Sequence, residues 1–202
     1  YNKFGKDGIR KLMDKGTNCR NTDFNYIPTY TGPGHASIYT GTTPENHGII
    51  ANDWYNKVLK NGMYCTGDAT VNTVGSTSES GKMSPKNLLS TTITDELKLA
   101  TNNRGKVIGM SIKDRGAILP AGHKADAAYW FEGGNVGKWI SSSFYMEELP
   151  LWVQKINTKN NPDKYLKTKW ETMYPIDSYT ESIADDNKYE GAFNGEAAPV
   201  FP

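Results

Sequence analysis

Thr31 is the residue whose neighbours best equip it for chemistry. It stands in the stretch Tyr30-Thr31-Gly32-Pro33-Gly34-His35-Ala36-Ser37-Ile38-Tyr39-Thr40-Gly41, which reads as a turn opening a helix. Pro33 suits the first helical position, because its φ is fixed and it has no N–H to leave unpaired. Gly32 and Gly34 keep side chains away from the approach, and Gly41 is a natural stop. Residues 24–29 read as extended, so Thr31 is expected on a strand-to-helix turn. Unpaired N–H groups and the positive end of the helix dipole there favour an anion such as phosphate. A hydroxyl in that place can be a nucleophile. It can equally be a plain helix cap, a common use of threonine.

Lys113 and Arg115 form a second candidate group. The compact apolar run Lys106-Val107-Ile108-Gly109-Met110-Ser111-Ile112 reads as a buried parallel strand. Lys113, Asp114 and Arg115 then fall just past its carboxyl end, where open α/β sheets place their ligands. Thr31 is expected to follow its own strand in the same way, which would bring both segments to one edge of the sheet. Taken alone, Lys113 and Arg115 also fit a solvated loop of mixed charge.

Both blocks carry a family resemblance. Residues 25–55, with Tyr30-Thr31-Gly32-Pro33-Gly34-His35, His47-Gly48-Ile49 and Asn52-Asp53-Trp54-Tyr55, resemble the alkaline phosphatase superfamily. The nearest likeness is to the phosphate-irrepressible, PafA-type alkaline phosphatases of Bacteroidetes. Ser111-Ile112-Lys113-Asp114-Arg115-Gly116-Ala117-Ile118-Leu119-Pro120-Ala121-Gly122-His123, continuing to Ala128-Tyr129-Trp130-Phe131, resembles the same subfamily at the matching distance. The resemblance implies metal-dependent hydrolysis of phosphate monoesters, with Thr31 as nucleophile forming a phosphothreonine and contacting one of two zinc ions. It implies that Asn52 donates its side-chain amide to a phosphoryl oxygen. Lys113, Asp114 and Arg115 would form the substrate clamp, with the two cations on the non-bridging oxygens.

That Lys-x-Arg pair separates subclasses. A monoester carries nearly two negative charges and a diester one, so two added cations favour the monoester through charge-assisted hydrogen bonds. A phosphodiesterase, nucleotide pyrophosphatase or phosphonate hydrolase of the same superfamily is the nearest alternative. A non-catalytic phosphate binder on a degenerate enzyme fold is a further one. A sulfatase fits poorly, since neither Cys19 nor Cys65 lies in a C-x-P-x-R setting.

The resemblance also implies that the other Asp and His zinc ligands come from outside this chain. His35, His47 and His123 are far apart and show no HExxH or Cys/His spacing, so structural roles are expected for them. The start at Tyr1-Asn2-Lys3 lacks a methionine and runs at once into a helix, and 196–202 ends without closure. The expectation is a piece of an exported, periplasmic or secreted protein whose signal peptide has been removed, inactive when isolated and completed by the remainder of its own polypeptide. Cys19 and Cys65 can form one disulfide or remain separate buried thiols.

The elements that must position these residues read as α/β. The resemblance implies a three-layer sandwich with a largely parallel central sheet, here a partial domain with an inserted cap region. Residues 1–125 are assigned to the core and 126–202 to a hairpin and cap. Asp7 is expected to cap a first helix with Ile9, Leu12 and Met13 as its apolar stripe and Gly16 as its stop. Ser84-Pro85 is expected to open helix running to Asn102-Asn103, in one or two pieces. Residues 55–81 read as a hairpin and a polar loop, 127–131 and 138–141 as paired strands, and 149–156 as a short helix. With 23 basic against 22 acidic residues among 202, nothing in the bulk charge argues for nucleic acid or an anionic membrane. No apolar run is long enough to span a bilayer.

Overall fold

In the computed structural model, residues 4–134, 136–159, 161–167, 171–183, 187–189 and 191–192 are described. The expectations for residues 1–3 and 196–202 lie outside these. The elements in chain order are α1 (Ile9–Lys15), α2 (Thr31–Thr40), α3 (Pro44–His47), β1 (Asp53–Asn56), β2 (Asn61–Tyr64) and β3 (Thr73–Val74). There follow α4 (Ile93–Ala100), β4 (Ile108–Ser111), α5 (Asp114–Ala121), β5 (Ala127–Glu132), β6 (Lys138–Ser142), α6 (Leu151–Thr158) and α7 (Asn161–Leu166).

The central unit is β4–α5–β5. The two strands pair in parallel with Ile108 opposite Ala127 and Ser111 opposite Trp130, and α5 makes the crossover such a pair requires. Gly109 sets how closely α5 can lie. A Cβ there would stand 2.1 Å from the Ala117 carbonyl oxygen and 2.9 Å from the Ala121 Cβ, so only glycine lets strand and helix approach this far.

Alternation along β5 sorts its side chains to two faces. Ala128 and Trp130 join Ala117 and Ile118 of α5, with Ile140. Ala127 and Tyr129 join Val74, Leu149 and Val153, the last on α6. The sheet is thus covered by a helix on each face, the layering expected of the α/β class. A third cluster, Ala36, Ile49, Cys65, Leu88 and Leu119, seats α2 on the outer side of α5. Within this span the four-stranded sheet, in the order β3-β6-β5-β4, is of mixed orientation. Only β4 and β5 run parallel, since β6 returns as a hairpin and β3 pairs with it antiparallel. The hairpin expected for the cap region therefore lies in the same sheet as β4. On its far side β4 has no partner strand among the described residues, and Ile108 and Met110, facing away from α5, are exposed.

Several local expectations are corrected. Residues 24–29 form no strand, with bends at 25–27 and Pro28 lacking the N–H a ladder needs. Helix α2 begins at Thr31, with Tyr30 as N-cap, so Pro33 sits at the third position instead of the first. Helix α4 starts at Ile93 because Thr92 and Asp95 make a reciprocal capping box. The Ser84 hydroxyl, expected near a helix start, donates instead to Asp68 Oδ2 at 2.6 Å. Helix α5, with Pro120 inside it, was not expected at all. Helix α1 starts after Gly8 with no side-chain cap, and its Ile9, Leu12 and Met13 are exposed. Cys19 is exposed, Cys65 is buried, and both are free.

Candidate active site

Thr31 is the first residue of α2, and its side chain is exposed. The helix begins in earnest with the Gly34 N–H donating to the Tyr30 carbonyl at 2.9 Å. Pro33 has no N–H, and the Gly32 N–H donates to Asn52 Oδ1 at 2.7 Å. Of the first-turn groups that a helix leaves unsatisfied, Gly32 is thus paired and Pro33 has no donor to pair, and Thr31 stands at the mouth of the helix. Gly32 must be small here, since a Cβ would lie 3.1 Å from Asn52 Oδ1 and 3.3 Å from Cys65 Sγ.

That hydrogen bond fixes the sense of the Asn52 amide. An N–H donor requires the oxygen, so Nδ2 and its two hydrogens point elsewhere, available to an acceptor. Asn52 lies just before β1, and its own carbonyl accepts the Cys65 N–H at 2.8 Å just after β2. The base of the β1–β2 hairpin therefore holds the start of α2 through Asn52.

The residue before Cys65 reaches the other helix. The Tyr64 hydroxyl donates to Asp114 Oδ1 at 2.9 Å, and Arg115 Nη1 donates to the Tyr64 oxygen at 2.7 Å. The Thr66 hydroxyl donates to Asp114 Oδ2. Lys113 is the N-cap of α5 and is exposed, Asp114 is buried, and Arg115 is half-buried. The acid between the two cations is turned inward with both oxygens occupied, while the cations lie at the entrance of α5. Burial, then the Asp114 charge, hold the Tyr64 phenol far above its ordinary range. Burial opposes the charge of Arg115, but its bond to Tyr64 and the electrostatic pull of Tyr64, Asp114 and Cys65 together outweigh that and raise its affinity for the proton.

The N-terminal ends of α2 and α5 carry Thr31 on one side and Lys113 and Arg115 on the other, and the two helices pack together. A Cβ on Gly116 would come within 3.6 Å of His35 Nε2. Burial, then the nearby Arg115 charge, hold the His35 imidazole below its usual affinity for protons. The sequence-predicted Thr31, Asn52, Lys113, Asp114 and Arg115 thus come from three neighbouring chain turns. Sequence reasoning missed Tyr64 and Thr66. Their alternation puts both on one side of the chain, but nothing in the sequence ties them to Asp114, which lies 50 and 48 positions away.

His47 and Ser37 superficially resemble a base and its nucleophile, with Ser37 Oγ 2.9 Å from His47 Nε2. The tautomer forbids that role. His47 Nδ1 accepts the Ile49 N–H at 3.2 Å, and burial lowers the ring's affinity for protons, so Nε2 carries the hydrogen and donates to Ser37. The Ser37 hydroxyl donates onward to the Tyr26 hydroxyl at 2.7 Å. His123 bridges buried Asp95 at 3.2 Å and the Leu88 carbonyl at 2.8 Å. Both tie segments together. Among the described residues no group of three His, Cys, Asp or Glu side chains is arranged to hold a metal ion.

Comparison with known proteins follows the same lines. The sequence pattern of the type I phosphodiesterase / nucleotide pyrophosphatase family matches residues 3–196. The chain is 50% identical over its full length to alkaline phosphatase PhoV of Synechococcus elongatus, of which it spans 36%. It is 47% identical over 203 aligned residues to alkaline phosphatase PafA of Elizabethkingia meningoseptica, of which it spans 37%. A protein of Myroides odoratus named as a calcium-transporting ATPase is 50% identical, with 37% of its length covered. The crystal structure of wild-type PafA superposes with a TM-score of 0.93 at 47% identity, over the whole of this chain and 39% of that one. The chain thus spans well under half the length of the relatives it matches. With its fold, its paired helix entrances and a family pattern covering nearly all of it, the chain belongs to the type I phosphodiesterase / nucleotide pyrophosphatase family and, within the alkaline phosphatase superfamily, is similar to PafA.

Proposed function

We propose that the full-length protein hydrolyses phosphate monoesters through a phosphothreonine at Thr31. The observation that carries this reading is the placement of Lys113 and Arg115 at the entrance of α5, beside the helix that starts with Thr31. The family pattern bears a phosphodiesterase name, which keeps a diesterase as the second reading. The added pair of cations favours the dianionic monoester.

In this reading the Thr31 hydroxyl gives up its proton to solvent and its oxygen attacks phosphorus, while the ester oxygen leaves with its electron pair and takes a proton from solvent. Water then attacks the phosphothreonine, breaking the bond to Thr31 and releasing phosphate. Asn52, its oxygen held by Gly32, offers Nδ2–H to a phosphoryl oxygen. Lys113 and Arg115 neutralise the others, in the way preorganised donors stabilise charge that develops during transfer. Asp114 stays inward and holds the clamp without touching the dianion. The exposed Thr31 hydroxyl suits one oxygen position of a zinc site, and the remaining ligands of two zinc ions belong to segments outside this chain. Zinc, when bound, supplies Lewis-acid chemistry that lowers the pKa of a coordinated hydroxyl and stabilises a leaving oxygen.

We propose a periplasmic or extracellular location for the protein, a reading that its likeness to named alkaline phosphatases supports. No helix of the described residues is long and apolar enough to cross a membrane. We assign the edge of β4, which has no partner strand among the described residues, and its exposed face to contact with the rest of the polypeptide, and expect no turnover from the isolated 202-residue chain. The test is hydrolysis of a phosphate monoester and of its methyl diester by the full-length protein. A preference for the monoester that disappears in Lys113→Ala supports the reading. A preference for the diester that survives it assigns the protein to the phosphodiesterases.

A further inference from the structure

We infer that Tyr64 is a positioning residue that sets the Arg115 guanidinium for the dianionic substrate. The inference rests on the phosphomonoesterase reading and adds to it a residue outside the two motif blocks.

The geometry is a one-way relay. Tyr64 has a single hydroxyl proton, and that proton is given to Asp114 Oδ1 at 2.9 Å. Only lone pairs are left to face Arg115, whose Nη1 donates to them at 2.7 Å. The other oxygen of Asp114 is taken by the Thr66 hydroxyl, so the carboxylate cannot swing without breaking a buried bond. Asp114 therefore fixes Tyr64, and Tyr64 fixes Arg115.

The interposed phenol also does something a direct ion pair would not. A carboxylate against the guanidinium would occupy its paired donors and neutralise its charge. Here Arg115 makes no ion pair with a carboxylate among the described residues. Its Nε is buried with no hydrogen-bond partner there, and such a donor favours an incoming acceptor. Tyr64 holds the side chain by a neutral oxygen and leaves its full charge for a phosphoryl group. Because Tyr64 sits directly before Cys65, whose N–H is tied to the Asn52 carbonyl, the same hairpin base sets Arg115 on one side and Asn52 on the other.

The experiment uses the full-length protein and compares Tyr64→Phe, Arg115→Ala and the double variant on a phosphate monoester and its methyl diester. Tyr64→Phe keeps the ring that packs on the Ala36–Leu119 cluster, and an unchanged thermal midpoint checks that the fold is kept. The expected result is a loss of about tenfold in monoester kcat/KM, the effect of one hydrogen bond to a charged group. Diester turnover should stay within about twofold, and Tyr64→Phe should cost nothing more once Arg115 is Ala. Asp114→Asn, which removes the charge that takes the Tyr64 proton, should give the same selective loss. Equal losses on both substrates, or losses that add in the double variant, would show a merely structural role and overturn the inference. So would a wild-type monoester rate in Tyr64→Phe while Arg115→Ala is impaired. A wild-type monoester rate in Arg115→Ala would instead sink the monoester clamp, and this inference with it.

Discussion

The side-chain oxygen of Asn52 accepts the Gly32 amide hydrogen at 2.7 Å, and this single bond orients the Asn52 amide beside Thr31. It joins a residue at the foot of a β-hairpin to the second residue of α2, so in the proposed reaction the donor end of the amide is set before the substrate arrives. Preorganisation of this kind costs nothing at the moment of reaction.

Asn52→Asp separates the two jobs of that side chain. The carboxylate still accepts the Gly32 N–H, so the fold should persist, but the Nδ2–H donor is gone and a negative charge faces the phosphoryl group. Monoester kcat/KM of the full-length protein is expected to fall by about a hundredfold or more, as for loss of an oxyanion donor. Steady-state kinetics beside an unchanged circular dichroism spectrum checks this. Near-normal rates would remove Asn52 from the reaction.

Lys113→Ala and Arg115→Ala should discriminate between substrates. Each removes one charge-assisted contact, so monoester turnover is expected to drop by roughly ten- to a thousandfold while the diester, with one charge fewer, loses much less. Parallel losses on both esters would mean that these cations serve the fold or the field of the site, not the second charge of a monoester.

Gly109→Ala tests the close approach of α5 to β4. Its Cβ would stand 2.1 Å from a backbone oxygen of the helix, which no rotamer change can relieve. Overpacking of this kind costs about 1–3 kcal/mol or more, read as a lowered denaturation midpoint. Because α5 carries Lys113 and Arg115 at its entrance, activity should fall with it.

The two thiols should react differently. Burial, then the Asp114 charge, push the Cys65 thiol up to about 12, so it remains protonated and enclosed at neutral pH, whereas Cys19 is exposed. A thiol reagent should label one of these two cysteines in the folded protein and both after denaturation. Prompt labelling of Cys65 in the native state would contradict its packing against Gly32.

Acid should loosen the chain in a defined window. The Val107 N–H, then Lys98 and Lys106, bring Asp126 down to about 2. For Asp68, burial acts upward, but hydrogen bonds from Ser84, Thr70 and Lys86 prevail and bring it to about 2 as well. Folded values below the unfolded one mean stability that is present above about pH 4 and lost as pH falls toward about 2. Urea midpoints measured from pH 5 to 2 should decline, and Asp126→Asn should flatten part of that decline while lowering the plateau.

The sequence by itself determined the local grammar around the candidate residues. Thr31 at a helix mouth, Gly41 as its stop, Lys113 and Arg115 past a strand, and the pairing of 127–131 with 138–141 follow from backbone rules that act over a few residues. Tertiary structure alone decided what those rules do not reach. Thr66 and Asp114 lie 48 positions apart and Tyr64 and Arg115 lie 51, so no periodicity links them. The same distance hid α5, whose apolar residues are buried between the sheet and α2, and which tolerates Pro120 near its end. That the β5–β6 hairpin lies in one sheet with β4 was hidden for a like reason. A run of apolar residues announces burial, while strand direction depends on what the chain crosses on its way back, here α5 before β5 and only a short connection before β6.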